Sequence, residues 1–539
     1  MNGAEAMVKC LEAEGITKVF GYPGVAIAPF YEGIYNSGIE HILVRQEQNA
    51  GHAASGYARI SRKPAVCVVT SGPGATNLIT ALATAYADSI PVVAISGQVS
   101  SDLLGRDVFQ EADMRGAVRS FVKHVYLVKD PDDIPRVFKE AFYIASTGRK
   151  GPVLIDVPMD IQEKSLKKEF VYPETVSMRG YKPEIKVNMA QVRKVVNAIN
   201  QASNPLICAG GGVILGEGEQ VIRQFCEKFN IPLVHTMMGM GVLPKKHPMN
   251  FGMLGNNGKP YANKAVGLAD VLIIVGARLA DRAIPKPEKL ERRLAVIHID
   301  IDTAEIGKNM GPTIPLVGDV REIFKILLDE DIKPAAESWI KELESVKHNT
   351  VDEREFSDRF VNPNIMVQKL SEKMDDDAVY VADVGQNQLW SADNYIMKEG
   401  RFLTTGGMGT MGYSIPAAIG AKLCCPDRQT VAVIGDGAFQ MSMNELATMK
   451  VNDVNIKIVI VRNRALGLVR EYQYNNYNGH YRGVMLHGWP KLRKIAEAYE
   501  MPFFHCTYTE ELDDILDEFL ACPEACILLC EVDKRDRVK

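Results

Sequence analysis

A repeated pattern of apolar strand, glycine-rich turn, helix and apolar strand constrains the fold most strongly. In the first third of the chain it reads AVCVVTSGPGATNLITALATAYADSIPVVAIS, and in the last third VAVIGDGAFQMSMNELATMKVNDVNIKIVIV. The second strand follows the first by 26 residues in one copy and by 27 in the other. Unbroken runs of Val, Ile and Ala are typical of strands buried on both faces, which predicts a right-handed βαβ crossover in a parallel sheet. The chain therefore contains two similar α/β domains.

The middle of the chain shows a third set of apolar strands with glycine turns, in PLICAGGGVIL, ADVLIIVGARLADR and LAVIHIDIDTAEI. We therefore predict an α/β protein with three doubly wound parallel-sheet domains. Polar, proline-containing stretches from about Gln162 to Val187 and from about Asp329 to Pro363 separate the three sets. The predicted domains are 1–165, 188–330 and 360–539.

Length and composition agree with three domains and narrow the partners. A chain of 539 residues implies roughly three domains of 100–200 residues each. Its 62 basic and 67 acidic residues are interspersed, which gives no basic face for nucleic acid and no polybasic membrane anchor. The start MNGAEAMVKCLEAEG lacks a signal-peptide core, and no apolar run approaches the roughly 18 residues of a membrane span. We expect a cytoplasmic protein with small-molecule partners.

The ten cysteines are scattered, which suits buried thiols in a reducing compartment. Only Cys522, Cys526 and Cys530 form a pattern. A metal site there would need a fourth ligand and usually has tighter CxxC pairs. Packing in the core or on a helix face is the favoured interpretation.

Two strand ends in the last third carry oxygen ligands. The strand VAVI is followed by Gly435-Asp436-Gly437, and the strand IKIVIV ends at Arg462-Asn463. Parallel neighbours place both ends at the carboxyl edge of the sheet, where open α/β folds bind ligands. Asp436 and Asn463 could therefore face one hard cation, with glycine amides and a helix N-terminus available for phosphate. GDG alone often marks only a turn, whereas the strand-terminal Asn 27 residues later makes the pattern specific.

Glu47 stands at the head of a segment of small residues, RQEQNAGHAASGYAR. Such a segment gains little from burying side-chain bulk, so its backbone is predicted to press closely against another element. Glu47 would then lie near a packed surface. The alternative is an ordinary helix N-terminal acid favoured by the helix dipole.

The spacing from Asp436 to Asn463 resembles the diphosphate and magnesium signature of thiamine-diphosphate enzymes. That resemblance implies that the two side chains and the backbone carbonyl of Ala465 bind Mg²⁺, and that the cofactor lies between the two similar domains. Glu47 matches the family glutamate that hydrogen-bonds pyrimidine N1′, so that the 4′-amino group can deprotonate the thiazolium C2.

A narrower resemblance covers essentially the whole chain. The sequence is similar to acetohydroxyacid synthases, also called acetolactate synthases, and three of its segments are specific to that branch: GYPG, FQEAD and GTMG. The other similar segments are TSGPGATNL, ADSIPVVAISGQV, KHVYLV, GPVLIDVP, VGARLADR, HIDIDTAEIGKN, DVGQNQLW and GGMGTMGYSIPAAIGA.

The acetohydroxyacid synthase resemblance implies roles for further residues. Phe109 and Gln110 would line the reaction site, and Arg282 would bind the carboxylate of the second 2-keto acid, which its planar fork matches. Without the family, Arg282 would more often be a surface salt-bridge partner. Met411 would be the apolar wedge that bends the cofactor, and the Gly409 carbonyl would accept from the 4′-amino group. The further thiamine-diphosphate contacts implied are Pro23, Gly24, Gly74, Val384, Gly385, Gln386, Asn387, Gly435, Gly437, Ala438, Leu466, Gly467, Leu468 and Val469.

The family also binds FAD in its middle domain without net redox chemistry. The positions that match its contacts are Arg149, Gly210, Gly211, Gly212, Gly276, Arg278, Asp300 and Asp319. From the residues alone, GGG after a strand is a weak dinucleotide signal, because the GxGxxG spacing and an obvious ribose-binding acid are missing.

The chain departs from the family around the substrate pocket. Gln46 replaces a histidine, Met159 a lysine, and Tyr472 the pocket tryptophan. Asn387 stands where GQHQ has histidine, and GNNG at 255–258 replaces GMHG. The sequence ends at DKRDRVK, where family members usually continue into a proline-rich tail that helps close the site. We expect an altered pocket on an intact cofactor core.

The resemblance implies a thiamine-diphosphate- and Mg²⁺-dependent carboligase that decarboxylates pyruvate and joins the two-carbon unit to a second 2-keto acid, giving acetolactate. A related 2-keto acid decarboxylase, a carboligase with another acceptor, and a non-catalytic binding paralogue are the alternatives. Glu47 and the metal ligands argue against the last, and Arg282, Phe109 and Gln110 favour carboligation. A homodimer or homotetramer is implied, and a small regulatory subunit is compatible with the family.

Overall fold

The computed structural model describes residues 1–291, 295–350 and 354–538. It contains three six-stranded sheets, and the strand pairs within each sheet are parallel. Helices cover both faces of the central strands, so that strands such as β3 are buried along their whole length. The prediction of three doubly wound α/β domains is confirmed.

The N-terminal sheet has the strand order β2-β1-β3-β4-β6-β5. Its strands are β1 Lys18–Tyr22, β2 Glu40–Leu43, β3 Ala65–Val69, β4 Val92–Gln98, β5 His124–Leu127 and β6 Val153–Pro158. Its helices are α1 Gly3–Ala13, α2 Ala28–Tyr35, α3 Glu47–Ser61, α4 Pro73–Asn77, α5 Ile79–Ala87, α6 Met114–Val118, α7 Ile134–Ser146 and α8 Met159–Glu163, with 3₁₀ turns at Val25–Ile27 and Pro131–Asp133.

The central sheet has the order β12-β11-β10-β7-β8-β9. Its strands are β7 Pro205–Ala209, β8 Leu233–His235, β9 Asn250–Met253, β10 Val271–Val275, β11 Ala295–Asp300 and β12 Thr313–Val317. Its helices are α9 Met189–Gln201, α10 Gly211–Leu215, α11 Glu219–Phe229, α12 Pro260–Leu268, α13 Pro287–Glu291, α14 Val320–Asp329 and α15 Glu337–His348, with a 3₁₀ turn at Met237–Gly239. Counted within the domain this is the dinucleotide-fold order 3-2-1-4-5-6, whose switch point lies between β7 and β10.

The C-terminal sheet has the order β14-β13-β15-β16-β18-β17, which repeats the N-terminal order strand for strand. Its strands are β13 Val379–Ala382, β14 Arg401–Leu403, β15 Thr430–Gly435, β16 Lys457–Arg462, β17 Phe503–Cys506 and β18 Cys526–Glu531. Its helices are α16 Pro363–Lys373, α17 Gln386–Asn394, α18 Ser414–Cys424, α19 Asp436–Ser442, α20 Leu446–Val451, α21 Gly467–Asn476, α22 Leu492–Ala498 and α23 Leu512–Ala521, with 3₁₀ turns at Met443–Glu445 and Thr509–Glu511. The predicted internal repeat is confirmed.

The second polar stretch is not a simple linker. Helix α15 lies within it and packs on α12 of the central domain, with Trp339 and Leu343 buried. The indole of Trp339 donates to the Pro205 carbonyl at 2.9 Å. Two apolar residues four positions apart form one buried stripe. The segment is otherwise rich in charged residues, so its composition alone indicates a linker. The central domain therefore continues beyond residue 330 in space, and the limits 1–165, 188–330 and 360–539 remain an interpretation.

The small-residue segment forms helix α3, which packs against α18 of the C-terminal domain. A Cβ added at Gly56 would lie 2.0 Å from the carbonyl oxygen of Ala417, and one at Gly420 would lie 1.9 Å from that of Ala53. The two backbones are thus in direct contact. This confirms the predicted close approach and joins the first domain to the last.

No helix in the described ranges is long and apolar enough to cross a membrane. The three cysteines of the C-terminal pattern pack rather than cluster with other ligands: Cys526 and Cys530 are buried in β18, and Cys522 follows α23.

We predict that Gly56→Ala lowers the stability of the N- and C-terminal domains against urea by about 1–3 kcal/mol, because the added methyl group overpacks the α3–α18 contact. Gly267→Ala is the matched control: this exposed glycine lies in α12 with open space around it. The control should be stabilised by about 0.5–1 kcal/mol, as for a glycine removed from a helix. Equal shifts of the two urea midpoints, followed by circular dichroism, would contradict the proposed contact.

Candidate active site

Three loops meet at the carboxyl edge of the C-terminal sheet. They follow β13, β15 and β16 and carry Val384-Gly385, Gly435-Asp436 and Asn463. The amide of Asn387 ties two of the strands together, since it donates to the carbonyls of Asp383 at 2.9 Å and of Val433 at 3.1 Å. Because β15 and β16 are parallel neighbours, Asp436 and Asn463 lie at the same edge of the sheet, as predicted.

Asp436 is almost fully buried, with 1% of its surface exposed. Its carboxylate accepts the backbone N–H groups of Gly437 at 3.0 Å and Arg464 at 2.6 Å. Burial raises the pKa of Asp436 to about 7. Within the described part of the chain, no basic side chain forms an ion pair with it, so this carboxylate has unused capacity for a cation.

Asn463 lies beside Asp436 and is held by a chain of side-chain hydrogen bonds. Its Oδ1 accepts the N–H of Ala465 at 3.0 Å, and its amide donates to Oε1 of Gln386 at 3.0 Å. Gln386 in turn donates to Glu471 at 2.9 Å. One carboxylate, one amide oxygen and the Ala465 carbonyl form an oxygen set that fits a small dication, with the remaining positions left for phosphate oxygens and water.

The described residues contain no group of three or more His, Cys, Asp or Glu that could hold a metal. Asp436, Asn463, Ala465 and the loop around them are called the Asp436 cluster below.

The loop between β14 and α18 approaches this cluster. Gly409 has φ of 66°, a left-handed conformation that favours glycine, and a Cβ there would meet nothing within 4 Å. The Met411 methyl lies 3.6 Å from where a Cβ on Gly437 would stand, and a Leu466 methyl lies 2.9 Å from the same point. Met411 therefore projects toward the start of α19, as expected of a residue that shapes the ligand site.

The N-terminal domain anchors that loop, a feature that sequence reasoning missed. The buried carboxylate of Asp88 accepts the amides of Gly406 at 3.2 Å and Gly407 at 2.8 Å, and it pairs with Arg59 at 2.8 Å. The hydroxyl of Thr84 contacts that of Thr410 at 2.7 Å. No local motif marks these residues, because the partners lie more than 300 positions apart.

Glu47 begins α3 at the carboxyl edge of the N-terminal sheet. Its Oε2 accepts from the side chain of Asn77 at 2.9 Å, and its Oε1 lies 3.6 Å from where a Cβ on Gly74 would stand. A Cβ on Gly24 or on Gly74 would also meet Thr70, and Pro23 is the neighbour of Gly24. The structure therefore brings Glu47 together with the glycines predicted beside it.

Gln110 and Phe109 belong to the same edge. A Cβ on Gly72 would lie 2.9 Å from Cβ of Gln110, and the Phe109 side chain is 88% exposed. We call Pro23, Gly24, Glu47, Gly74, Phe109 and Gln110 the Glu47 cluster. Across the residues that the structure describes, no hydrogen bond or ion pair links this cluster to the Asp436 cluster.

A cavity of about 1580 Å³ opens between the three domains. Its wall contains Val384, Gly409, Leu468 and Val469 from the predicted thiamine-diphosphate set, together with Tyr472 and Arg282. None of the described residues of the Glu47 cluster lines it. The cavity therefore combines a few residues of the predicted C-terminal site with the central domain, whereas neither Asp436 and Asn463 nor the Glu47 cluster lines it.

Nearly all of the residues that match FAD contacts line the same cavity: Arg149, Gly211, Gly212, Gly276, Arg278, Asp300 and Asp319. The exception is Gly210, where a Cβ would lie 2.2 Å from the Gly276 carbonyl oxygen. These glycine turns follow β7 and β10 at the switch point of the central sheet, where doubly wound folds bind ligands. Most of the predicted FAD contacts therefore lie at the ligand-binding edge of this fold class.

Three charged members of this set, Arg149, Asp300 and Asp319, have partners within the protein, and the Asp300 carboxylate accepts the N–H of Asp302 at 2.9 Å. Arg149 binds Glu305 at 2.7 Å and Asp302 at 3.1 Å, which joins the N-terminal and central domains. Burial raises the pKa of Asp300 to about 6. Asp319 caps α14 by accepting the N–H groups that follow it. A ligand contact made by Arg149, Asp300 or Asp319 would therefore have to coexist with that residue's bonds to the protein.

Arg282 and Tyr472 face the cavity from its rim. The Arg282 side chain is 81% exposed, and its ion pair with Asp281 is long, at 3.8 Å. Tyr472 is 57% exposed and lines the cavity from α21 together with the apolar Leu468 and Val469 and the polar Glu471 and Asn475. The departure at Asn256 lies next to Arg282, since its N–H donates to the Arg282 carbonyl at 2.8 Å.

The other departures lie at varied distances from the site. Gln46 is the residue immediately before α3 and provides no side-chain cap. Met159 begins α8. Asn387 is buried, and its side-chain amide donates to the carbonyls of Asp383 and Val433, which links the ends of β13 and β15.

Three family models match the chain in order. They are the thiamine pyrophosphate enzyme N-terminal TPP binding domain at residues 1–117, the central domain at 192–327, and the C-terminal TPP binding domain at 383–530. Each match falls within a different one of the three domains described above.

Curated proteins match along nearly the whole chain. A probable acetolactate synthase large subunit of Methanocaldococcus jannaschii is 41% identical over 99% of this chain and 92% of its own length. The acetolactate synthase large subunit of Haemophilus influenzae is 39% identical over 100% and 96%, and that of Corynebacterium glutamicum is 42% identical over 95% and 83%. With its three domains and this full-length similarity, the chain belongs to the acetolactate synthase large-subunit family of thiamine pyrophosphate enzymes.

Proposed function

We propose that the protein decarboxylates pyruvate and transfers the two-carbon unit to a second 2-keto acid, giving acetolactate, with thiamine diphosphate and Mg²⁺. The observation that carries the proposal is the pair of clusters on two sheets of identical strand order, one centred on Glu47 and one on Asp436. The relatives named above are acetolactate synthases. Arg282 on the cavity rim favours carboligation over simple decarboxylation, because its guanidinium can bind the acceptor carboxylate.

Mg²⁺ would be held by Asp436, Asn463 and the Ala465 carbonyl. The fit rests on the buried Asp436 carboxylate, which accepts only backbone N–H groups and gains most from a nearby cation. Glycine amides after β13 and β15 would bind the diphosphate. Gln386 fixes the orientation of Asn463 and so acts on the metal indirectly.

Thiamine diphosphate, when bound, supplies the carbon nucleophile. Glu47 would exchange a proton with pyrimidine N1′ through a short charge-assisted hydrogen bond. The side chain of Asn77 donates to Oε2 of the Glu47 carboxylate and keeps it in place. Met411 would shape the ligand, Phe109 and Gln110 would exclude water, and Tyr472 would contact the alkyl group of the acceptor.

The site is completed by a second copy of the chain in this proposal. The Glu47 cluster is open to solvent, with Phe109 at 88% and the neighbouring Val25 at 73% exposure, which is unusual for large apolar side chains in a finished site. A homodimer in which the Glu47 cluster of one chain faces the Asp436 cluster of the other would cover both. A homotetramer and a small regulatory subunit are compatible with this arrangement.

FAD is proposed for the large cavity, in a non-redox role. Support comes from the glycine turns at the switch point and from the lining by Arg149, Arg278, Asp300 and Asp319. We place the reaction in the cytoplasm, because all ten cysteines are free thiols.

We predict that Glu47→Gln binds thiamine diphosphate and Mg²⁺ with unchanged affinity yet loses activity by about 10²–10⁴-fold, the usual size of a lost proton-transfer group. The amide cannot exchange the proton with N1′. Acetolactate formation and calorimetry measure the two effects. Glu12→Gln, an exposed residue of α1, is the matched control and should retain full turnover; near-full turnover of Glu47→Gln would sink the assignment.

Asp436→Ala should remain folded but lose Mg²⁺-dependent binding of thiamine diphosphate, because the only carboxylate of the metal set is gone. Calorimetry with and without Mg²⁺ measures this, with the exposed Asp427→Ala as control. Unchanged affinity would place the metal elsewhere.

The same two variants distinguish a shared site from a site within one chain. In a mixed dimer of Glu47→Gln and Asp436→Ala chains, one site would carry both defects and the other none. Co-expression should therefore restore a substantial fraction of activity that neither variant has alone. Absence of any restoration in isolated mixed dimers would contradict the two-chain site.

Tyr472 should give weak selectivity for the larger acceptor. A phenol offers less apolar area than the indole found in the family, and one methylene in a pocket contributes about 1–3 kcal/mol of discrimination. With equal pyruvate and 2-ketobutyrate, the wild type should yield comparable amounts of the two products, and Tyr472→Trp should shift the ratio toward acetohydroxybutyrate. A wild-type ratio strongly favouring acetohydroxybutyrate, or no condensation product, would show that this role is wrong.

A further inference from the structure

A second cavity, of about 440 Å³, lies between the central and C-terminal domains. Four lysines line it: Lys245, Lys246, Lys259 and Lys347. Asp393 is the single acidic residue in its wall, counted over the described ranges. We call this space the lysine cavity. Its volume lies within the range of small-molecule sites.

The one carboxylate is already shared between two cations. Oδ1 of Asp393 pairs with Lys259 at 2.7 Å, and Oδ2 pairs with Arg354 at 2.7 Å. Both oxygens are thus engaged in ion pairs that join the domains. Asp393 has little capacity left for the other lysines.

Lys245 and Lys347 find no carboxylate at ion-pair distance in the described part of the protein. The ammonium of Lys245 donates to the carbonyls of Asp393 at 3.2 Å and Asn394 at 2.9 Å, at the end of α17. That of Lys347 lies over the rings of Phe251 at 5.7 Å and Tyr261 at 5.8 Å. Neutral carbonyls and aromatic rings orient an ammonium group but leave its charge uncompensated.

Burial, and secondarily the neighbouring lysines, disfavour the charged form of Lys245 in this cavity. Burial lowers the pKa of Lys245 to about 8, with Lys259 adding repulsion. Burial also lowers the pKa of Lys347. His235, at the inner end, is neutral at pH 7 because burial lowers its pKa to about 4. An anion that entered the cavity would relieve the repulsion among the lysines. Its attraction to their ammonium groups would be screened less than in bulk water, because the site is partly buried.

The rest of the wall mixes apolar side chains with the polar Asn250 and Gln368. Met240, Met253 and Met397 face the space, and methionine adapts to varied shapes. Met240 and Met253 also line the large cavity. The lysine cavity contains none of the residues assigned above to the cofactor or substrate.

We propose that the lysine cavity is a binding site for a small dianion, either a phosphate group or a dicarboxylate. Lys245, Lys259 and Lys347 donate to the anionic groups, and the methionines contact the body of the ligand. The ligand bridges the central and C-terminal domains. This site is independent of the proposed reaction.

Calorimetry on the full-length protein tests the proposal. Protein loaded with thiamine diphosphate and Mg²⁺ is titrated with orthophosphate and, separately, with succinate, at constant ionic strength set with NaCl. At least one probe should bind saturably. Lys347→Gln and Lys259→Met should each weaken that binding at least tenfold. Lys341→Gln is the control. This exposed lysine lies on α15, as Lys347 does, but it pairs with Glu337 at 3.6 Å and does not line the lysine cavity.

The outcomes separate the alternatives. Phosphate alone binding identifies a phosphate site, and succinate alone identifies a dicarboxylate site. Three results would overturn the proposal: no saturable binding of either probe, equal affinity in Lys347→Gln, Lys259→Met and wild type, or displacement of the probe by additional thiamine diphosphate, which would place it in the cofactor site.

Discussion

The backbone contact between α3 and α18 is the constraint on which the arrangement of the site depends. Gly56 and Gly420 allow each helix to touch a carbonyl of the other, so the two helices cannot slide without a clash. Helix α3 carries Glu47 at its start, and α18 directly follows the loop that carries Met411. One contact between small residues therefore fixes the relative position of the N- and C-terminal sheets within a chain, and with it the positions from which the two clusters would face a second copy in the proposed dimer.

Buried acids reinforce this contact and set its register. Asp88 accepts the backbone N–H groups of Gly406 and Gly407 and also pairs with Arg59. Glu445 accepts the backbone N–H of Arg45 at 2.9 Å and the side-chain amide of Asn49 at 2.8 Å. Burial raises the pKa of Glu445. A buried charge that loses one partner costs about 3–5 kcal/mol. Because each acid bonds to groups on both domains, these interactions select one docking geometry more than they add stability.

The sequence predicts what local pattern and parallel topology determine. Unbroken apolar runs locate β3, β4, β15 and β16, and because parallel strands share a carboxyl edge, the meeting of Asp436 with Asn463 follows from spacing alone. Contacts set by packing over long separations carry no such signal. Asp88 and Gly407 meet only after the domains dock, and Lys259 reaches Asp393 from a different domain. The stripe of α15 was likewise hidden by its charged surroundings.

The glycines matched to cofactor contacts divide into two kinds, which limits what a motif can prove. A Cβ on Gly210 or Gly212 would strike the backbone of Gly276, at 2.2 and 2.7 Å, so packing alone requires glycine there. At Gly409 a Cβ would meet nothing within 4 Å, and only the positive φ constrains the residue. Because the space beside Gly409 is open to the large cavity, a ligand can approach its backbone. Open backbone such as that of Gly409, and the Asp436 carboxylate, which pairs with no basic side chain among the described residues, therefore support a cofactor more than glycine-rich turns in general do.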